Sequence, residues 1–442
     1  MARGAVNIDL DRWAANVQRA PVLRVSGKVS KVVGLTVEVV GLSVPIGEVC
    51  DIIVPREPLP VKAEVVGFRD RVSLLMPLGD LKGVHPGCLV TPAGRRLTIT
   101  IGEALLGEVL NGLGRPFSGK HIAGESFPVD NNPPNPLERP RIKEPLPTGI
   151  RAVDALLTCG RGQRLGIFAG SGVGKSVLLG MLCRYCASDV NVVALIGERG
   201  REVRDFLERH LGNSLAKSVV VVATSDQSAL VRVRAAAVAT AIAEYFRDRG
   251  HNVMFLMDSV TRFALAQREI GLAIGEPPTT RGYTPSVFAA LPKLLERSGT
   301  NARGTITGFY SVLVEGDDMQ EPIADAVRGI LDGHIILSRE LAEAGYYPAI
   351  DILQSNSRLM PDVTEEEHVR LAQKAKRLLG AYRKAEDLIN IGAYVKGSDP
   401  LVDQALAVYP ELINFLQQDQ TEYCEFETTL SMFRQILGGD AD

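Results

Sequence analysis

A glycine-rich loop that ends in lysine and serine carries the clearest chemical signal in the sequence. Residues 169–176 read AGSGVGKS, after the apolar run RLGIFA and before a stretch with helical periodicity. Glycines let successive backbone N–H groups curl around phosphate oxygens, and a helix N-terminus adds a partial positive charge. In such a loop the lysine reaches the β- and γ-phosphates, and the serine hydroxyl ligates Mg²⁺. The predicted contacts with the nucleotide are Gly170, Ser171, Gly172, Val173, Gly174, Lys175, Ser176 and Val177.

Two acidic residues follow other apolar runs. Asp258 ends the run 253–258, and Glu198 comes just after the run 192–196. Because the carboxyl ends of parallel strands meet at one edge of a sheet, both acids can converge with Lys175. Asp258 would then hold Mg²⁺ through water, and Glu198 would polarise the attacking water. A helix N-cap or a surface salt bridge is the rival interpretation for either acid taken alone.

Phosphoryl transfer also needs positive charge near the transition state. The chain offers four arginines for this role, and their spacing leaves the choice open: Arg199, Arg201, Arg262 and Arg358. These residues together predict an enzyme that hydrolyses a nucleoside triphosphate.

Composition excludes several other classes of protein. A chain of 442 residues predicts two to four domains. Lys and Arg number 49 against 52 Asp and Glu, a net charge of −3, so no overall basic field favours nucleic acid. No apolar run approaches the ~18 residues that a membrane span needs, and the N-terminus has no signal-peptide core. A soluble cytoplasmic protein is expected.

The six cysteines do not form a pattern of disulfides or metal ligands. Cys183 and Cys186 alone have the spacing of a metal or redox pair, and no second pair accompanies them. Since this pair lies in the helix predicted after the glycine-rich loop, we expect buried packing.

The part of the chain before the loop has three textures. Residues 5–20 predict a short amphipathic helix, which either packs on its own body or docks a partner, and it contains the only tryptophan, Trp13. Short β-rich runs over 22–92 predict a small antiparallel barrel or sandwich. Its single aromatic, Phe68, favours an assembly module over an oligonucleotide-binding barrel. The proline-dense residues 115–149 predict an ordered connector.

From Gly162 onward the pattern predicts an α/β core. Five apolar strands are expected, with helices between the first four, which implies a mainly parallel sheet covered on both faces. The last ~80 residues are predicted to be mostly helical. Residues 364–367 read as a capping box that opens a helix ending near Ile391.

The sequence resembles the flagellar and type III secretion export ATPases, which are relatives of the catalytic β subunits of rotary ATP synthases. The resemblance covers essentially the whole chain, and it rests on six segments: AGSGVGKS (169–176), GERGREV (197–203), MDSVTRFALAQREI (257–270), GYTPSVF (282–288), the run from VEGDDMQEPIAD to YYPAID (314–351) and QSNSR (354–358). Ala169, where the strict loop pattern has glycine, is acceptable in export ATPases. The GDDMQEPIAD segment separates these ATPases from rotary β subunits, and the full run resembles the flagellar branch more than the injectisome branch.

The resemblance implies a RecA-like P-loop core that binds ATP and Mg²⁺, with an N-terminal six-stranded barrel and a helical C-terminal domain. It makes Glu198 the catalytic glutamate and Asp258 the metal-side aspartate. Further implied roles are support of the γ-phosphate and the metal's water shell by Arg199 and Glu202, a place beside the γ-phosphate for Arg262, adenine stacking for Tyr347, and an arginine finger in the neighbouring subunit's site for Arg358. The expected segments are 1–20 for partner binding, 21–95 for the barrel, 96–362 for the ATPase domain with its connector, and 363–442 for the helical domain.

The family also implies a homohexameric motor that couples ATP hydrolysis to protein export. The implied partners are a stator-like regulator at the N-terminal segment, a central coiled-coil stalk protein lodged near the GYTPSVF loop, export-gate membrane proteins, and export substrates with their chaperones, but no nucleic acid. The expected location is the cytoplasmic side of the cell membrane, at the export apparatus.

Four alternatives remain open at this stage. They are an injectisome ATPase, a rotary catalytic subunit, a RecA-like nucleic-acid translocase, and a nucleotide-binding structural subunit without catalysis. The GDDMQEPIAD segment argues against the rotary subunit. The net charge and the single barrel aromatic argue against the translocase, and retention of Glu198 argues against the structural subunit.

Overall fold

Six short strands close into a barrel over the first part of the chain. A computed structural model describes residues 25–438, so the predicted helix 5–20 with Trp13 lies outside the described residues. The strands are β1 (Gly27–Val33), β2 (Thr36–Val40), β3 (Glu48–Ile53), β4 (Val61–Arg69), β5 (Val72–Pro77) and β6 (Leu89–Arg96). They pair in the order β1-β2-β5-β4-β3-β6, all antiparallel, and β6 returns to β1. The predicted small antiparallel barrel is confirmed.

The barrel has a core of its own. Val37, Cys50, Ile52, Val65 and Leu75 are fully buried inside it. These side chains recur at alternate positions of their strands, because a strand turns successive residues to opposite faces. The chain divides into two compact units between Arg96 and Leu97, and the barrel forms the first of them.

The second unit contains the remaining strands and helices. Its strands are β7 (Thr98–Ile101), β8 (Val109–Asn111), β9 (Glu125–Pro128), β10 (Arg164–Ala169), β11 (Val190–Ile196), β12 (Ser218–Ala223), β13 (Asn252–Asp258), β14 (Gly299–Thr300), β15 (Thr305–Leu313), β16 (Gly333–Leu337) and β17 (Asn356–Ser357). Its α-helices are α1 (Arg151–Leu156), α2 (Lys175–Tyr185), α3 (Gly200–Asp205), α4 (Ala229–Arg247), α5 (Val260–Ile274), α6 (Pro285–Leu295), α7 (Pro322–Ile330), α8 (Arg339–Glu343), α9 (Met360–Val363), α10 (Glu366–Asn390), α11 (Pro400–Leu416) and α12 (Phe426–Leu437).

A nine-stranded sheet forms the centre of this unit. Its order is β17-β16-β10-β15-β13-β11-β12-β8, with β14 added to β15. The pairs from β16 to β8 are parallel, and β14 and β17 join antiparallel. The five strands predicted from the sequence are β10, β11, β12, β13 and β15. The mainly parallel sheet is confirmed.

Alternate residues of the central strands serve two hydrophobic cores. On β11, Val193 and Leu195 pack in one core with α2 and with the helices α10 to α12. Val192, Ala194 and Ile196 pack in the other core with α4, α5 and α6. Helices therefore cover both faces of the sheet, as the continuous apolar runs of the strands predict.

The capping box predicted at residues 364–367 is wrong. The Thr364 hydroxyl donates backward to the carbonyl of Met360 at 2.7 Å, and Glu365 caps α10 without a side-chain hydrogen bond. Thr364 directly follows the short helix α9, so a free carbonyl lies within its reach. The helix itself ends at Asn390, close to the predicted position.

Two further predictions from the sequence concern the cysteines and membrane-spanning helices. All six cysteines lie within residues 25–438, buried and without a disulfide. Cys183 and Cys186 belong to the core against α2, so buried packing is confirmed. Over the same range, no helix combines the length and apolar character needed to cross a membrane.

Candidate nucleotide site

The glycine-rich loop lies between β10, which ends at Ala169, and α2, which begins at Lys175. Gly172 and Gly174 have φ angles of +80° and +87°, in the left-handed region that favours glycine. Val173 between them is buried, and Ser176 in the first turn of α2 is exposed. A Cβ placed on Gly172 would meet no atom within 4 Å, so open space lies beside the loop at this residue.

Lys175 and Asp258 are in direct contact. The Lys175 ammonium donates to Oδ1 of Asp258, and the Ser311 hydroxyl donates to the same oxygen at 2.5 Å. These residues come together because β10, β15 and β13 are successive neighbours in the sheet and present their carboxyl ends at one edge. Burial acts to lower the pKa of Lys175, but attraction from the surrounding carboxylates outweighs it and raises that pKa.

Glu198 completes the cluster. It follows the end of β11, after Gly197 in a left-handed conformation with φ of +71°. Burial raises the pKa of Glu198 to about 8, and the charges of Asp258 and Glu202 act in the same direction, against attraction from Lys175. Glu198, Glu202, Asp258 and Lys175 are therefore close enough to set one another's charge. A carboxyl with a raised pKa accepts a proton readily once it is ionised.

The residues present fit Mg²⁺ bound together with a phosphate. Three carboxylates face one lysine, which leaves an excess of negative charge, and the Ser176 hydroxyl stands free at the start of α2. Within residues 25–438, no three His, Cys, Asp or Glu side chains could hold a metal by themselves. A hydroxyl and one or two carboxylates are the protein ligands that Mg²⁺ uses when it keeps several waters and takes its other ligands from substrate phosphates.

Two of the predicted arginines lie beside this cluster. A Cβ placed on Gly197 would lie 2.8 Å from Cβ of Arg262, so the Arg262 side chain packs against the residue that precedes Glu198. Arg199 lies 3.6 Å from Glu202, and its side chain is 78% exposed. Arg201, the fourth arginine of the sequence-based set, turns to Asp205 at 3.7 Å instead.

Arg358 lies at the other end of the sheet. It follows Ser357, which pairs with Gly333, the first residue of β16, whereas the glycine-rich loop follows the last residue of β10. The side chain is exposed, and its Nη2 is 3.5 Å from the carbonyl oxygen of Arg328. The structure therefore does not bring Arg358 to the cluster around Lys175 of the same chain.

Tyr347 packs directly on the loop. Its Cε1 atom would lie 3.2 Å from a Cβ placed on Gly174, and 43% of the residue remains exposed. Its hydroxyl donates to the Ala342 carbonyl at 3.3 Å, and its own carbonyl accepts from the backbone N–H of Gln418 at 3.0 Å. The ring is thus held against the glycine-rich loop and is partly open to solvent.

Sequence reasoning missed Ser311 and Gln418. Ser311 lies in the apolar strand β15 and is completely buried. A lone hydroxyl in a buried strand signals a polar partner on the neighbouring strand, and that signal was available. Gln418 gave no such signal, because its role depends on how the loop after α11 folds back on Arg151 and Tyr347.

Three family models match successive parts of the chain. The beta-barrel domain of the ATP synthase alpha/beta family matches residues 29–94, and its nucleotide-binding domain matches 149–357. The C-terminal domain of the type III secretion ATPase EscN matches 364–435. A flagellum-specific ATP synthase of Bacillus subtilis is 53% identical over 94% of this chain and 95% of its own length. The chain belongs to the flagellar and type III secretion ATPase family.

Other members of this family are almost equally similar. A type 3 secretion system ATPase of Xanthomonas euvesicatoria is 51% identical over 93% of both chains. The solved structure of the assembled ATPase EscN from the type III secretion system of enteropathogenic E. coli is 46% identical. It matches with a TM-score of 0.88 over 93% of this chain and all of that one. The resemblance seen in the sequence and the predicted fold class, a barrel, a P-loop core and a helical C-terminal part, are confirmed.

Proposed function

We propose that this protein is the Mg²⁺-dependent ATP hydrolase of a flagellar type III protein export apparatus. The observation that carries the proposal is the convergence of Lys175, Glu198 and Asp258 at the carboxyl ends of neighbouring strands. Relatives named flagellum-specific ATP synthases, at 53% and 52% identity, support the flagellar assignment.

Hydrolysis follows from the positions of the side chains. The backbone of residues 170–174 binds the phosphates, and Lys175 exchanges its contact with Asp258 for phosphate oxygens. Ser176 and, through water, Asp258 would hold Mg²⁺, which would supply positive charge to the γ-phosphate. Glu198 takes a proton from water as the water oxygen bonds to the γ-phosphorus and the bond to the bridging oxygen of ADP breaks.

The remaining groups position the reactants. Arg262, packed on Gly197, lies where it can meet the γ-phosphate. Arg199 and Glu202 support the shell of water around the metal, since they form an ion pair beside Glu198. Tyr347 stacks on adenine, because its ring already lies against Gly174 and is half exposed.

Arg358 acts on the site of a neighbouring copy. It lies at the end of the sheet remote from its own glycine-rich loop and is exposed. A homohexameric ring would place each Arg358 against the next nucleotide. The related structures of EscN assembled and of EscN assembled with its central stalk EscO support an assembly of this kind.

The partners and the location belong to the same proposal. A central coiled-coil stalk protein, a stator-like regulator at residues 1–20, export-gate membrane proteins, and substrates with their chaperones would act with the ring at the inner face of the membrane. The division into 1–20, 21–95, 96–362 and 363–442 also remains a prediction. The family-model boundaries are compatible with it.

An injectisome ATPase is the second candidate, since the Xanthomonas and EscN relatives are 51% and 46% identical. Expression of this chain in a motile bacterium that lacks its flagellar ATPase separates the two assignments. Restored swimming supports the flagellar one. Restored effector secretion in an injectisome mutant, without restored swimming, supports the other.

The first experiment is Mg²⁺-dependent ATP hydrolysis against protein concentration, with the wild type beside Glu198→Gln. We expect specific activity to rise steeply with concentration and to be lost in the variant, because each site needs a neighbour's arginine. Specific activity that stays constant down to the isolated monomer contradicts the ring. Unchanged activity in Glu198→Gln contradicts the assigned base.

A further inference from the structure

A single short segment carries candidate groups for two different nucleotide sites. Tyr347 stands at one end of residues 347–358, beside its own loop, and Arg358 stands at the other end. Strand β16 and Ser338, the residue after it, bond to the segment. Ser338 N–H donates to the Ala349 carbonyl at 2.8 Å, and Asp351 N–H donates to the Ile336 carbonyl at 2.9 Å. A contact that holds this segment in place therefore affects the positions of both Tyr347 and Arg358.

Helix α10 bonds to the same segment through two cationic side chains. Nη1 and Nη2 of Arg383 each donate to Oδ2 of Asp351 at 3.1 Å. Seven residues earlier on the helix, Nζ of Lys376 donates to the Ser355 carbonyl at 3.3 Å. Residues seven apart lie on one face of a helix, so both cations project from the same side of α10.

Asp351 holds the segment in place through several hydrogen bonds. Only 3% of it is exposed, and its Oδ1 accepts from the backbone N–H groups of Leu353 and Gln354 at 3.0 and 3.1 Å. Burial alone would raise the pKa of Asp351, but hydrogen bonds from Gln354 and Arg383 outweigh burial and hold it low. The Arg383 side chain is 44% exposed, so the ion pair is buried on the Asp351 side only.

Lys376 supports the end near Arg358. Its side chain is half-buried, and burial lowers its pKa. The carbonyl that it contacts belongs to Ser355, whose hydroxyl also bonds to the Asp351 carbonyl at 2.6 Å and accepts from Ile336 N–H at 2.9 Å. Arg358 is three positions after Ser355, and Asp351 is four positions after Tyr347.

We propose that Arg383 and Lys376 are positioning residues that couple the two ends of segment 347–358. Through them, helix α10 sets Tyr347 against the chain's own nucleotide and Arg358 against the neighbour's nucleotide at the same time. A shift of α10 would then alter nucleotide affinity in one site and catalysis in the next. This inference rests on the proposed role of Arg358 in a neighbouring site.

The test uses mixed assemblies of two inactive chains. One chain carries Arg358→Ala and keeps an intact site, and the other carries Glu198→Gln and keeps an intact Arg358. Mixing them should restore hydrolysis, because the second chain supplies its arginine to the first. Adding Arg383→Ala to the Glu198→Gln chain should lower the restored kcat by about fivefold or more. The same change in the Arg358→Ala chain should instead raise KM for ATP, through Tyr347.

Matched variants control for folding and for charge. Arg377→Ala removes an exposed arginine from the same helix and should leave the restored rate unchanged. Arg383→Lys keeps one charge and should recover part of the rate. Thermal unfolding and ATP binding of each chain alone report whether it folds. If Arg383→Ala does not fold, Lys376→Met takes its place in both arms, with the same expected pattern.

The outcomes separate the two proposals. No recovery on mixing the two parent chains contradicts the role of Arg358 in a neighbouring site. Recovery that Arg383→Ala and Lys376→Met both leave unchanged in kcat and KM overturns the positioning role, while the ring mechanism stands.

Discussion

Oδ1 of Asp258 accepts two hydrogen bonds, one from the Lys175 ammonium and one from the buried Ser311 hydroxyl. The lysine and the metal-side carboxylate therefore neutralise each other before any phosphate enters. In the proposed mechanism Lys175 leaves Asp258 for phosphate, and the Ser311 hydroxyl would then hold Asp258 in place. The site is assembled in advance, with Lys175 already paired to Asp258.

Ser311→Ala should lower kcat for ATP hydrolysis by about 10- to 150-fold, because a hydrogen bond to a charged group contributes about 1.5–3 kcal/mol. Steady-state hydrolysis at saturating Mg²⁺-ATP measures the effect. Ser298→Ala is the control: this serine is also buried, and it bonds to Tyr310 at 2.7 Å. It should reduce thermal stability and leave kcat unchanged. Equal losses of kcat in the two variants would contradict the role of Ser311.

The raised pKa of Glu198, about 8, predicts the pH dependence of hydrolysis. Below that pH the carboxyl is protonated and accepts no proton from water, so kcat/KM should rise about tenfold per pH unit before it levels off. Glu202→Gln removes a neighbouring negative charge and should move the rise to lower pH. Glu208→Gln changes an exposed glutamate paired with Arg204 and should leave it in place. If Glu202→Gln does not shift the pH dependence of kcat/KM, the charge of Glu202 does not act on Glu198.

Arg358→Ala should abolish turnover and spare ATP binding, because an arginine finger contributes about 10³–10⁵ in rate. Arg358→Lys should give an intermediate rate, since lysine keeps the charge and loses the planar fork. Parallel measurements of hydrolysis and equilibrium ATP binding separate the two effects. Undiminished hydrolysis in the alanine variant would mean that another arginine has this role.

Tyr347→Ala should weaken ATP binding by about 5- to 150-fold, the equivalent of ~1–3 kcal/mol for stacking of a base on an aromatic ring. Tyr347→Phe keeps the ring against Gly174 and loses only the bond to the Ala342 carbonyl, so it should bind nearly as well as the wild type. Because every base has an aromatic face, GTP binding should weaken in parallel. Equal ATP affinity of the alanine and phenylalanine variants would show that the Tyr347 ring does not stack on the base.

The sequence predicted the strands whose residues are buried on both faces, and it missed those that depend on distant partners. The apolar run 252–258 is recognisable on its own, and it is β13. In contrast, β8 is three residues long and exists because it pairs with β12, more than a hundred residues later in the chain. No local pattern reports such a pairing. The strand β16 was also missed: it is five residues long, and its buried and half-buried residues alternate.

Residue types and strand ends were enough to place Lys175, Glu198 and Asp258 together. Spacing could not rank the arginines, because their side chains are long and flexible and the deciding facts are three-dimensional. Arg262 is distinguished by its packing on Gly197, and Arg358 by its place at the opposite end of the sheet. The hydroxyl of Thr364 shows the same limit: it can accept from the helix ahead or donate to the turn behind, and only the fold decides.

The two outermost strands of the large sheet, β8 and β17, have three and two residues. Strands this short give another chain almost no backbone to pair with, which is how natural proteins protect a sheet from edge-to-edge aggregation. Copies of this protein crowded into a ring would therefore recognise one another through side chains and not through shared β-structure. In the proposed ring, neighbours could then change their contacts with each nucleotide without backbone pairing between sheets.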